Sequence, residues 1–452
     1  MTWRAIAILA CLVCAIGPAC GDNAARSDDL ITATSGARLA LQRYRFDDGT
    51  ELVERGEFYD TELHTHCRPQ AWSDGTQRCT PVADDAVYLD PACSELLGVG
   101  RTIDRPAYFV ARDTGPDGPA PRVFRAGAIG GALGEFYARV GGDCVGPTPI
   151  TMGVSAFYKL GAELTGDALV ALSDSEVASD RLAVQIRAGD DGLRVPTGLR
   201  DRALAAACTP RSRSDGSVVC EPNDIAQASY YADPACSAPV AVVGEAGEAT
   251  APALARLAEP SGCASYYRIA GEIAPPVYHR DGASCTAASP PDSRTFALGT
   301  PVALASLPRT VETAAGHRLR RVVLDIGGMT IADDRLFDPQ TGVDCRPRAL
   351  RDAIRCVPEN LVTAAQLYSD AGCTVSVRLA EVPARSCGAP AAYAATSRPF
   401  QIRAIGDIVT SPLYRLDGTC QRYTAAAGNE LRALGAVLDT ATLPWAIYYS
   451  ER

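Results

Sequence analysis

The chain has 452 residues, 47% hydrophobic and 21% charged, which is enough apolar material for a folded core without a long charge block of the disordered kind. Acidic residues outnumber basic ones, 53 against 43, and no Lys/Arg stripe occurs anywhere, so the electrostatic footprint of a nucleic-acid binder is excluded. Length allows two to four ordinary domains or one large all-β domain.

From the N-terminus, Met1 to Arg4 supply one positive charge, Ala5 to Ile16 an apolar run, and Gly17-Pro18-Ala19-Cys20 a small-residue end. Residues 1–20 therefore read as a secretory signal, too short to cross a bilayer as a helix. A small residue before a cysteine at the end of such a run marks Cys20 as the lipidation candidate, Ala19-Cys20 being the junction. Cys11, in Ile8-Leu9-Ala10-Cys11, would leave an apolar core of only about six residues where roughly seven to fifteen are expected. An ordinary cleaved signal with an incidental cysteine is the alternative. Residues 21–37 form a polar tether. No later segment reaches the roughly eighteen apolar residues of a membrane-spanning helix.

Beyond the tether the chain repeats itself three times, over residues 38–180, 181–317 and 318–452. Each copy opens on an Arg-Leu pair: Arg38-Leu39, Arg181-Leu182, Arg318-Leu319. An Asp then precedes a Cys-x-Pro by seven residues: Asp60 and Cys67, Asp201 and Cys208, Asp338 and Cys345. A second Cys-x-Pro follows at Cys79, Cys220 and Cys356, then Tyr-x-Asp-x-x-Cys ending at Cys93, Cys236 and Cys373. The last landmark is a Gly fourteen residues before Cys144, Cys285 and Cys420. Period and spacing together establish a repeat architecture.

The local chemistry builds strands. Ala86–Leu89, the turn Asp90-Pro91-Ala92-Cys93 and Leu96–Val99 read as strand, turn and strand, because Pro presets the backbone at the second turn position and Asp favours the first. Ser229–Ala232 and Val240–Val243 repeat the unit around Asp233-Pro234-Ala235-Cys236. A second hairpin per copy carries Gly141-Gly142-Asp143, Asp281-Gly282 or Asp417-Gly418 at its turn. Asn360–Leu367 and Ala203–Ala207 are ambiguous between helix and strand. Six hairpin units predict an all-β fold that closes as a six-bladed β-propeller, with Trp445–Tyr449 packing beside the first copy. Three consecutive small β domains are the alternative.

Fourteen of the seventeen cysteines follow Cys20, and in an exported chain they read as a disulfide framework and not as a metal site. Across the hairpin of the two Cys-x-Pro strands the pairs are Cys67–Cys79, Cys208–Cys220 and Cys345–Cys356. The pair available to all three copies gives Cys93–Cys144, Cys236–Cys285 and Cys373–Cys420. Cys263 and Cys387 are left over, to stay reduced or to meet each other if the copies close into a ring. A competing pattern joins Cys236 to Cys263 and Cys373 to Cys387. No Cys-x2-Cys pair occurs in the mature chain, so no metal is assigned. His64-Thr65-His66 would place both rings on one strand face, but the other copies have no counterpart.

No Walker loop, His-Glu-x-x-His or Gly-x-Ser-x-Gly occurs, Gly153-Val154-Ser155 failing the last. Asp47-Asp48-Gly49 and Asp190-Asp191-Gly192 are accounted for by turn chemistry, since a calcium loop needs six or more spaced oxygens. No catalytic residue and no cofactor is assigned. A catalytic site, if present, belongs where one copy departs from the others. The chain resembles the uncharacterised cysteine-rich repeat lipoproteins of GC-rich bacterial genomes, through the Cys20 region and the Tyr-x-Asp-x-x-Cys and Cys-x-Pro landmarks. That resemblance implies a cell-envelope location, lipid-anchored at the outer membrane or periplasmic face. The function expected is a binding or scaffold module for a protein or glycan, with no nucleic-acid partner. The alternative is a secreted propeller-type hydrolase or lyase acting on carbohydrate or lactone through a central channel.

Overall fold

A computed structural model describes residues 30–451 apart from 102–104, 113–120, 132–134, 141–142, 150–154, 214, 245–251, 259–262, 275, 282–283, 289–292, 351–352, 385–386, 388–389, 398 and 427. The Arg-Leu pair of each copy heads a strand, Leu39–Phe46, Leu182–Gly189 or Arg320–Ile326, that turns back through Glu51–Asp60, Arg194–Asp201 or Met329–Asp338. Alternation buries one face, as Leu182, Val184 and Ile186 show. The Cys-x-Pro strands follow in antiparallel register, Thr65–Ala71 on Gln77–Pro81, Ala206–Ser212 on Val218–Pro222, and Val343–Leu350 on Ala353–Pro358. All of these belong to one 16-stranded sheet.

That sheet closes on itself. Ala171–Ala178 lies between Gln77–Pro81 of copy 1 and Leu182–Gly189 of copy 2. The C-terminal strand Trp445–Ser450 lies between Ala353–Pro358 of copy 3 and Leu39–Phe46 of copy 1, with Tyr448 opposite Tyr44. At the third seam Ser306 bridges Val219, Leu307 donates its N–H to Val218, and Arg309–Val311 continues onto Arg320–Ile326.

Each copy's core is finished by its neighbour. Leu39, Leu41 and Phe58 of copy 1 pack with Leu193 and Val195 from the hairpin of copy 2. Leu182, Val184 and Leu199 of copy 2 receive Val322, Leu324 and Ile326 of copy 3. Leu319 and Leu336 of copy 3 receive Phe46 and Leu52 of copy 1. Because a strand pair buries only one face by itself, this cyclic exchange makes the three copies a single body.

The remaining strands form three satellite sheets of seven strands each. In copy 3, Val362–Tyr368, Ser376–Pro383, Asn429–Leu438, Phe400–Ile408 and Tyr393–Ser397 follow one another in the sheet, and a parallel pairing of the last to the first closes a five-stranded barrel. The hairpin Leu413–Asp417 with Thr419–Tyr423 extends it. Copies 1 and 2 repeat the arrangement.

The architecture is thus all-β and threefold, but the six hairpins do not become six propeller blades. They pair two by two inside the satellites, through contacts such as Tyr137 opposite Tyr88, while the Arg-Leu and Cys-x-Pro strands go to the shared sheet. Of the ambiguous stretches, Val362–Tyr368 is a strand preceded by Asn360 in the left-handed region at φ 56°. Ala203 to Ala205 form a turn, with Ala205 at φ 54°, before the strand Ala206–Ser212.

Candidate functional site

The landmarks that recur in all copies are structural. The Arg of each Arg-Leu pair donates to the landmark Asp, Arg38 Nη2 to Asp60 Oδ2 at 2.8 Å, Arg181 Nη2 to Asp201 Oδ2 at 2.7 Å and Arg318 Nη2 to Asp338 Oδ2 at 2.7 Å. Asp60 and Asp201 are fully buried and Asp338 nearly so. Each also accepts backbone N–H groups of the following turn, from Glu62 and Leu63, from Ala203 and Leu204, and from Gln340. Asp48 and Asp191 reach across seams: Asp48 accepts the N–H of Leu319 in copy 3 and Asp191 that of Leu39 in copy 1, both at 2.6 Å. Asp90, Asp233 and Asp370 accept several N–H groups of their own turns, which holds their carboxyls below the usual range.

The structure brings together Cys67 and Cys79, Cys208 and Cys220, and Cys345 and Cys356 within the core sheet. In the satellites it joins Cys93 to Cys144, Cys236 to Cys285 and Cys373 to Cys420. Cys263 and Cys387 meet each other, linking the satellites of copies 2 and 3. Cys20 lies outside the described residues. His64 and His66 do not share a strand face. His64 sits in the turn at φ 53°, whereas His66 pairs with Glu57 at 2.9 Å and stacks on Tyr448.

Where the three copies meet, equivalent positions carry different residues. Five places before each landmark Asp stand Arg55, Pro196 and Asp333, and all three line one cavity of about 160 Å³. Leu30–Ile31 pairs in parallel with the Met329–Asp338 strand beside it, and Thr34 bridges Arg194. The chain's own N-terminal segment therefore occupies the hub, and no histidine lines it.

The larger departure from threefold symmetry lies on the seam between copies 2 and 3. Cavities of about 710, 330 and 500 Å³ follow one another along it and all include Asn360, forming a continuous open groove. One wall is the Ala206–Ser212 and Val218–Pro222 hairpin with the satellite of copy 2. The other is the Val343–Leu350 strand with the satellite of copy 3. Cys387 lines the groove, so the Cys263–Cys387 bridge ties wall to wall.

Its electrostatics fall into two layers. Inside, Arg335 donates to Asp333 and to Ser212 and lies 3.7 Å from Asp344 and 3.9 Å from Glu359. Arg346 pairs with Asp334 at 2.7 Å and with Glu359, and Arg309 pairs with Asp344. Burial and the adjacent Asp333 push the Asp334 carboxyl up to about 6. Burial also pushes Asp333 up, but Arg335 outweighs it and holds that carboxyl low. Nearer solvent, Arg211 and Arg256 share Glu221, which also accepts from the Tyr266 hydroxyl. Burial, with that same carboxylate, drives Tyr266 up to about 12. Arg213 and Arg348 are exposed and make no ion pair with a described carboxylate.

The groove escapes a reading of the sequence because its arginines come from separate strands and differ between copies. Arg211 and Arg348 stand at matching places, three residues after Cys208 and Cys345, where copy 1 has Gln70. That coincidence, with the extra cysteine of copies 2 and 3, was the available signal.

These features define a disulfide-stapled, three-copy all-β protein with a hydrogen-bonding groove on one seam. The chain belongs to the family of unknown function DUF7481, whose model matches residues 12–443. No curated protein and no solved structure matches it.

Proposed function

We propose that this is an exported, lipid-anchored envelope protein, of the kind encoded in GC-rich bacterial genomes, that binds a polymer in the groove between copies 2 and 3 without chemically altering it. The observation that supports this reading is the groove's form: three open cavities in a row, sharing Asn360, suit an extended chain better than a small substrate. The hub, where a channel enzyme would work, is narrowed by the segment around Leu30–Ile31 to a cavity of about 160 Å³, whose charged lining, Arg43, Glu51, Arg55, Arg321 and Asp333, includes no histidine. Among the described residues no group of three or more His, Cys, Asp or Glu side chains could hold a metal ion. Seven disulfides suit an oxidising compartment. A lipid on Cys20, at the far end of the tether, would hold the body at the membrane surface.

Electrophoresis of the soluble body through gels containing neutral or acidic polysaccharides, or peptidoglycan fragments, tests the groove. Retardation by at least one polymer is expected, and Thr209→Trp, which fills the groove at an exposed strand position, abolishes it. Retardation by none, or shortening of the polymer on incubation, overturns the reading; shortening would point to the hydrolase or lyase. For the anchor, Cys20→Ala should release the protein from membranes.

A further inference from the structure

The groove's outer layer carries more positive charge than the protein around it supports. The whole chain has a formal charge of -10, yet Arg211, Arg213, Arg256 and Arg348 line this surface with only Glu221 among them. Arg211 is 65% exposed and Arg256 35%. A guanidinium has five N–H donors in a planar fork, and one carboxylate shared by two arginines and a tyrosine leaves most of them open. The inner layer adds no attraction of its own, because Arg309, Arg335 and Arg346 are outnumbered there by Asp333, Asp334, Asp344 and Glu359, so the attraction for an anion rests on the outer arginines. The exposed turn residue Asp215 lies near Arg213 and weakens its field without closing the groove.

We propose, resting on the groove reading above, that the bound polymer is an acidic glycan whose carboxylates are held by Arg211, Arg213, Arg256 and Arg348. Neutral hydrogen-bonding side chains line the space between them, Thr209, Ser212, Asn223, Gln227 and Asn360, and these match sugar hydroxyls. Tyr266 and Pro222 supply apolar surface for a pyranose face. The two walls are already joined by the Cys263–Cys387 bridge, so little ordering is needed on binding. An acidic peptide would ask instead for an unpaired strand edge or discrete apolar pockets, but the outer edge of Val218–Pro222 is taken by the segment from Ala305 to Leu307, and the apolar side chains along the arginine stretch, such as Val219, Pro222 and Ile225, are interspersed with polar ones.

The test uses polygalacturonate, dextran and polyglutamate as probes on the soluble body, titrated at low and at physiological ionic strength. Polygalacturonate should bind and weaken as salt rises, because exposed charges are screened, while dextran and polyglutamate bind at least about tenfold more weakly. The double variant Arg213→Gln/Arg348→Gln should lose at least about tenfold in polygalacturonate affinity, two charge-assisted contacts being removed. Arg122→Gln, on an exposed ion pair of the copy 1 satellite, should lose nothing. Equal, salt-independent binding of dextran that Thr209→Trp abolishes would overturn the acidic ligand and leave the groove standing. Binding of polyglutamate alone would overturn the glycan, and binding of no polymer would overturn both readings.

Discussion

At the scale of single residues, stability concentrates in the Arg–Asp clasps. Asp201 is fully buried, pairs with the partly exposed Arg181 and accepts two backbone N–H groups, so its loss leaves the turn without its acceptor. Asp201→Ala should cost about 1.5–3 kcal/mol, read as a shift of the urea midpoint; a cost below about 1 kcal/mol would contradict the clasp. The recurrence of Arg and Asp was legible in the sequence, but their pairing was not. It depends on a register, Leu182 opposite Asp201, that only the folded hairpin fixes. Asp334 gives the pH test. Its folded pKa of about 6 lies above its unfolded value of 3.8, so between those values the folded state holds more protons and stability falls as pH rises. Asp334→Asn removes that titration. Its melting temperature relative to the parent should therefore climb as pH is raised from about 4 to about 7, and a flat or falling difference would refute the assignment.

Among the elements, the hairpin tips matter most. Leu193 belongs to copy 2 in sequence and to the core of copy 1 in space. Leu193→Ala should cost about 2–5 kcal/mol and lower one cooperative transition for the whole body. A separate, early transition confined to copy 2 would show that the copies fold independently. Strand content and the turn at Asp90-Pro91 followed from local chemistry, since Pro, Asp and β-branched residues act within a few positions. The assignment of hairpins to satellites did not. Tyr137 reaches Tyr88 across a long stretch of chain, and no local signal separates that pairing from a new blade. The stretch from Asn360 stayed ambiguous for a related reason, the left-handed φ of Asn360 separating two strands where the composition reads equally as a short helix.

For the molecule as a whole, ring closure brings the ends together. Ser35 Oγ donates to Glu451 at 2.9 Å and Glu451 N donates to Leu41 O at 2.8 Å. A circular permutant that joins residue 451 to residue 30 through a flexible linker and opens between Ala315 and Gly316 should fold with all seven disulfides, because the new ends fall at an exposed turn between copies. Failure to form the Cys263–Cys387 bridge in that protein would contradict a closed ring. The threefold frame was readable from spacing alone; the groove was not, because it arises where copies 2 and 3 depart together from copy 1. The proposed function rests on that departure, and hydroxyl-radical footprinting of the soluble body with and without polygalacturonate tests it most directly. The groove account predicts protection at Tyr266, Pro222, Arg213 and Arg348, whereas protection centred on Tyr44, His66 and Tyr448, or on the copy 1 satellite, would contradict it.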